Sequence, residues 1–191
     1  MDQIRISIIG SVSEEIEILE MILESIDPNK HFLMIEKRVQ TKINRPFLDD
    51  IDVIIVHNPK TFTEQAINEL NNFLNEGGGL IWFQGNDDEF ESQSELLSRN
   101  GFPAVEHLVS AGQGFFSARI KTEDSDIFQD IHVRNVEREL PEVYKYVKPN
   151  LNFKHKVHLE LNNNDPLLVE FSRGSGSVFY FTSILDLRWN D

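Results

Sequence analysis

Four side chains of this sequence could together support acyl transfer: Ser11 and Ser183 as nucleophiles, His57 as a base, and Asp186 as the acid that orients it. A nucleophilic serine needs an exposed, strained turn between strand and helix, and no G-x-S-x-G elbow is present. The serines instead suit a helix start and a turn, and His57 in Val56-His57-Asn58-Pro59 reads as a turn histidine. Asp87, Asp88 and Glu89 form the densest acidic cluster, and close-set carboxylates can hold calcium or magnesium. Their order lacks the alternation and glycine of a calcium loop, and an acidic helix start favoured by the helix dipole explains them without a metal. His155 and His158 flank Lys156 and Val157 on a predicted strand, where odd spacing sends them to opposite faces, a poor metal pair. There is no cysteine, which removes disulfides, thiolate metal sites and any thiol nucleophile. No metal or other cofactor is expected.

The elements that would position these groups are clearest between Ile51 and Asp88. An apolar strand from Val53 to Val56 is followed by a polar turn, an amphipathic helix, Gly77-Gly78-Gly79, and a second apolar strand, Leu80 to Phe83. This is one crossover of a parallel sheet, and ligands of such sheets bind at the carboxyl ends of the strands. Thr61-Phe62-Thr63-Glu64 fits a capping box, and Ala66, Ile67, Leu70, Phe73 and Leu74 repeat at helical spacing. Glycines that cradle phosphate precede a helix; these follow one, so they read as its C-cap. The candidate ligand crevice is therefore Ser11, His57, Asn58, Gln84, Gly85, Asn86, Asp87, Ser183 and Asp186.

The same alternation extends outward. Ile4 to Ile9 predicts a strand covered on both faces, then a helix with Ile16, Leu19, Leu23 and Ile26 as its buried stripe, then a short strand from Phe32 to Ile35. A weaker helix runs from Asp88 to Asn100. After about residue 105 the pattern becomes β-rich: Val143 to Val147, Val157 to Leu161, Leu167 to Phe171 and Val178 to Phe181 predict strands, with turns at Asn162-Asn163-Asn164-Asp165 and Ser172-Arg173-Gly174-Ser175-Gly176. The expected fold is α/β, a flavodoxin-like three-layer sandwich with a mainly parallel central sheet and added C-terminal β-hairpins. Residues 1–191 make a single domain, with an α/β core at 1–105 and a β-rich extension and return strand at 106–191.

Charge narrows the partners. With 18 Lys and Arg against 32 Asp and Glu, the formal charge of the 191 residues is -14. Such a surface repels phosphate backbones and anionic lipid, so nucleic acid is excluded as a general partner and basic protein surfaces are favoured. No apolar run approaches the ~20 residues that span a bilayer, and no basic and apolar leader follows Met1.

Asp52-Val53-Ile54-Ile55-Val56, the helix to Asn75, Gly77-Gly78-Gly79-Leu80-Ile81-Trp82-Phe83 and Gly85-Asn86-Asp87 resemble the core of class I glutamine amidotransferase-like domains. The later succession is more particular. Asp126-Ile127-Phe128, Asp165-Pro166-Leu167-Leu168-Val169-Glu170, Gly174-Ser175-Gly176-Ser177-Val178, Phe181-Thr182-Ser183, Leu185-Asp186 and Trp189 are similar to the amidotransferase-like domain of Bat-type, aerotolerance-associated bacterial membrane proteins with an N-terminal pair of transmembrane helices. The resemblance implies a soluble fragment of a membrane-anchored protein, on the extracytoplasmic (periplasmic) side of the bacterial membrane, working with protein partners such as a von Willebrand factor A domain. It also implies lost chemistry, because active amidotransferases use a cysteine near the position of Phe83-Gln84-Gly85 and a histidine after a late strand. This chain has neither, and Thr182 to Leu187 contains no histidine. The expected function is a non-catalytic interaction or ligand-binding module; the alternative is a cryptic hydrolase or sugar-binding enzyme in the same crevice.

Overall fold

The computed structural model describes residues 3–10, 13–39, 43–59, 62–85, 90–121, 126–128 and 140–191. Five apolar segments form its parallel part: β1 (Ile4–Gly10), β2 (Leu33–Val39), β3 (Val53–His57), β4 (Gly79–Phe83) and β11 (Gly176–Phe181). Their order is β2-β1-β3-β4-β11, a flavodoxin-like order in which the last strand of the chain takes the fifth place. The register sets Val53 beside Ile6 and Gly79 beside both Val53 and Ser177. Beyond β11 the sheet turns antiparallel through β10 (Pro166–Arg173), β9 (Lys156–Leu161), β6 (Phe116–Ile120) and β7 (Glu142–Val143), giving nine strands. A separate ribbon pairs β5 (Ala104–Ser110) with β8 (Lys145–Asn150). The result is a mixed α/β fold with a large sheet.

Side chains alternate across the sheet, and two core clusters divide along that alternation. Ile54 and Val56 of β3 pack with Ile67, Leu70, Phe73 and Leu74 of α3 (Glu64–Asn75), together with Trp82 and Tyr180. Ile55 packs with Ile16 and Leu19 of α1 (Ser13–Ile26), and with Val105, Val147 and Trp189. The second face is therefore covered by one helix and the β5–β8 ribbon. α4 (Phe90–Arg99) leads into that ribbon, where the Ser94 hydroxyl donates to the carbonyl of Val105 and accepts its N–H.

Several sequence expectations need correction. Ile26 does not belong to the buried stripe of α1; it is exposed, and the inward position one turn after Leu23 is taken by Asp27. Burial alone would push that carboxyl up, but N–H groups of His31, Phe32 and Leu33 donate to it at 2.9, 2.7 and 2.8 Å and hold it below the usual carboxylate range. Val143 to Val147 is not one strand. It divides into β7 and the start of β8, in different sheets, because the N–H groups of both Tyr144 and Lys145 turn to the carbonyl of Trp189. The cap of α3 is Thr63, whose hydroxyl accepts from the Ala66 N–H; with alanine at that position no glutamate reciprocates, and Thr61 lies outside the described residues. The short helix α2 (Arg45–Leu48) was not expected, although Asn44 ahead of Arg45-Pro46 is a legible cap.

The glycine C-cap stands. Gly77 has φ +106°, its N–H reaches the Leu74 carbonyl at 3.1 Å, and the Gly78 N–H reaches that of Phe73 at 3.0 Å. The β10–β11 turn docks against this helix end so closely that a Cβ on Gly176 would lie 2.3 Å from the Gly78 carbonyl oxygen and 2.6 Å from that of Leu74. Backbone atoms cannot yield as a side chain can. Gly176→Ala is expected to cost about 3 kcal/mol, whereas Gly112→Ala, at φ +67° with nothing within 4 Å of the added carbon, should cost only about 1 kcal/mol of left-handed strain. Urea unfolding of the two variants checks this; equal losses would contradict the close-approach account.

Candidate functional site

The three central strands end level with one another, since His57 pairs with Phe83 and Phe83 with Phe181. Their next residues are Asn58, Gln84-Gly85 and Thr182-Ser183, so tertiary structure does bring the described members of the predicted crevice together. Ser11, Asn86 and Asp87 lie outside the described residues, as do Asp88 and Glu89.

The polar groups at this rim are turned on one another. His57 is fully buried, and its Nε2 accepts the Leu185 N–H at 2.9 Å. The ring tilts against Phe83, which stacks on Phe181 at 4.5 Å. Asn58 takes φ +44°, donates its N–H to the Phe83 carbonyl, and sets its side chain where a Cβ on Gly85 would be 2.0 Å from Oδ1. A larger residue at 85 would require the Asn58 side chain to move. Gln84 is buried: its Oε1 accepts the Trp82 indole N–H at 2.9 Å, and its Nε2 donates to the Gly85 carbonyl at 2.7 Å.

Residues 182–191 lie across the same end. The Ser183 hydroxyl donates to the Lys145 carbonyl at 3.1 Å and accepts from Asn190 Nδ2 at 3.0 Å. Asn190 Nδ2 also donates to the Ile184 carbonyl. Asp186 accepts from the N–H and Nε of Arg188, each at 2.8 Å, and this partner holds its carboxyl below the usual range against the opposing effect of burial.

Among the described residues, His57 and Ser183 are not set against one another as base and nucleophile. Because His57 Nε2 accepts a backbone N–H, the neutral ring carries its proton on Nδ1 and the lone pair a base would need is engaged. Burial pushes the imidazole down to about 4, with the Asp186 charge acting the other way. The Ser183 proton is committed to a carbonyl. Among the described residues no group of three His, Cys, Asp or Glu side chains could hold a metal.

Two buried polar pairings escaped the sequence. His158, fully buried in β9, donates from Nε2 to Glu170 of β10 at 2.7 Å, while His155 precedes the strand and sits with its Nδ1 on the Phe153 carbonyl. Tyr146 donates its hydroxyl to Asp165 and accepts from Asn163 at 2.7 Å, and its phenol is pushed up to about 12 by burial and by that carboxylate. The Asn163–Asp165 turn was legible. Its tyrosine partner depends on sheet register, which the sequence does not display.

No protein-family model matches the chain, and no curated protein matches it. Solved structures do share its fold. A cytoplasmic protein from Salmonella typhimurium LT2 superposes with a TM-score of 0.73 at 16% identity, over 97% of this chain and 90% of its own. A ThuA-like protein from Bacteroides uniformis gives 0.65 at 13% identity, over 94% and 81%. An exo-β-1,4-mannosidase from Opitutaceae bacterium strain TAV5 gives 0.59 at 14%, over 95% of this chain but 31% of the mannosidase. At these identities the likeness is one of fold alone. ThuA-like proteins have a glutamine amidotransferase-like fold, so that part of the resemblance is shown; the finer likeness to Bat-type proteins draws no support from these structures.

His57 makes stability depend on pH. Its folded pKa of about 4 lies below the roughly 6.5 of an unfolded histidine, so between those values the unfolded chain binds the extra proton and stability falls as pH falls. From pH 7 to 5 the loss from this residue is about 2 kcal/mol. His57→Gln retains an acceptor for the Leu185 N–H and does not titrate. Urea unfolding at both pH values should give a loss about 2 kcal/mol smaller in the variant than in the native chain, and parallel losses would refute the buried neutral imidazole.

Proposed function

We propose that this chain is a non-catalytic recognition module built on an amidotransferase-like fold. The observation that carries the reading is the bonding of the described rim residues: His57, Gln84 and Ser183 each spend their reactive atoms on the chain's own backbone or on Trp82. A catalytic site instead presents a nucleophile, a base and oxyanion donors to an open space. The mannosidase likeness is in keeping with this, because a fold matching less than a third of that enzyme stands as one part of a larger chain. The same reading takes the sheet, with the first two of its three core clusters on opposite faces, as a flavodoxin-like three-layer arrangement.

The setting we propose is a tethered one, outside the bacterial cytoplasm, beside a protein partner such as a von Willebrand factor A domain. It rests on the succession from Asp165 to Trp189. Among the described residues no helix is long and apolar enough to cross a membrane; the anchor we propose is a transmembrane segment encoded elsewhere in the parent gene. Sequencing that gene on both sides should reveal transmembrane segments, and an open reading frame without them would remove this placement.

Catalysis is tested directly. Purified protein incubated with glutamine, p-nitrophenyl acetate and nitrophenyl glycosides is expected to give no turnover above buffer. Release of ammonia or nitrophenol that Ser183→Ala or Gln84→Ala abolishes would overturn the reading in favour of the cryptic hydrolase.

A further inference from the structure

Helix α1 carries two apolar stripes where one holds it on the sheet. Ile16 and Leu19 are buried in the second core cluster, with Leu23 half-buried against it. Ile18, Met21 and Ile22, at spacings of three and four residues, form a second row on one outward side of the helix, and Ile26 at the helix's last position extends the exposed apolar surface. They are 46%, 67%, 48% and 59% exposed. A helix that only covers a sheet has polar groups in such positions, and a contiguous exposed apolar row marks an interaction surface.

The charged residues of the helix itself are of one sign. The helix contains Glu14, Glu15, Glu17, Glu20 and Glu24 and no Lys or Arg. Glu20 and Glu24 pair with Lys37 and Lys30 at 2.6 and 3.2 Å, but both cations belong to the following segment and the helix itself stays wholly acidic.

We infer that the outward stripe of α1 is the docking site for a cationic amphipathic helix of a protein partner. The apolar rows of the two helices would pack, and Lys or Arg flanking the partner's row would meet the glutamates. The -14 charge of the chain steers such a partner inward and disfavours the other occupants. A second copy would set two acidic helices together, and an anionic bilayer is repelled in the same way. This names a partner class for the recognition module and rests on that reading, but it uses α1 and not the strand-end rim.

The probe is a synthetic Leu/Lys peptide patterned as an amphipathic helix, with a scrambled peptide of identical composition beside it. Calorimetry should show the patterned peptide binding the native protein and weakening as salt is raised. Ile18→Ser/Ile22→Ser should weaken that binding at least about tenfold, and Met21→Ser, at the most exposed of the four positions, should weaken it also. Leu187→Ser, at an 85% exposed position outside α1, should leave it unchanged. Thermal unfolding confirms that each variant is folded. Equal binding of both peptides, or native-like binding by the α1 variants, would overturn the inference. So would self-association in sedimentation, or binding to phosphatidylglycerol vesicles, that the double variant abolishes. Loss of the inference is separable from loss of the module reading: failed peptide binding without turnover removes only the docking site, and turnover in the catalytic assays removes the module.

Discussion

After β4 the chain leaves the parallel sheet and comes back beside the same strand as β11, with Val178 level with Leu80 and Phe181 level with Phe83. Everything on the far side of the sheet is hung from this return. Hydrogen bonding to β4 occupies one edge of β11, and β10, β9, β6 and β7 follow from the other. The approach is possible because Gly176 brings the turn backbone against the carbonyls that end α3, so a helix cap and a hairpin turn share one contact.

The return also fixes the chemistry of the rim. With His57, Phe83 and Phe181 level, the residues after them must either face solvent or satisfy one another, because a buried polar group without a partner costs on the order of 1–3 kcal/mol. Several of the described ones satisfy one another. The Leu185 N–H goes to His57, the Trp82 indole to Gln84, and Asn190 to Ser183 and Ile184. His57 and Ser183 thus act as struts between the strand ends and residues 182–191, and the burial that lowers the His57 pKa makes it an acid-sensitive part of the fold.

On the proposed reading, function lies in surface and charge. Exposed ion pairs such as Arg5–Asp50 and Arg45–Glu76 contribute little to stability, and the excess of carboxylates acts chiefly on what approaches the domain. Helix α1 carries five glutamates beside an exposed apolar row, and there the surface departs from what solubility alone requires.

The sequence by itself determined the elements whose information is local. Continuous apolar runs at Ile4, Val53, Leu80 and Val178 marked buried strands, a 3.6-residue period marked α3, and Gly77 marked its end, because periodicity and backbone restrictions act within a few residues. The absence of cysteine likewise settled which chemistry is missing. Tertiary structure alone decided what depends on contacts between distant residues: that Asp27 and not Ile26 turns inward, that Tyr144 breaks a predicted strand in two because Trp189 offers its carbonyl, that His158 finds Glu170, and that His57 meets Leu185. Each of these is a hydrogen bond whose partner is chosen by sheet register or loop path, and a one-dimensional pattern carries no record of which backbone group will arrive at a given side chain.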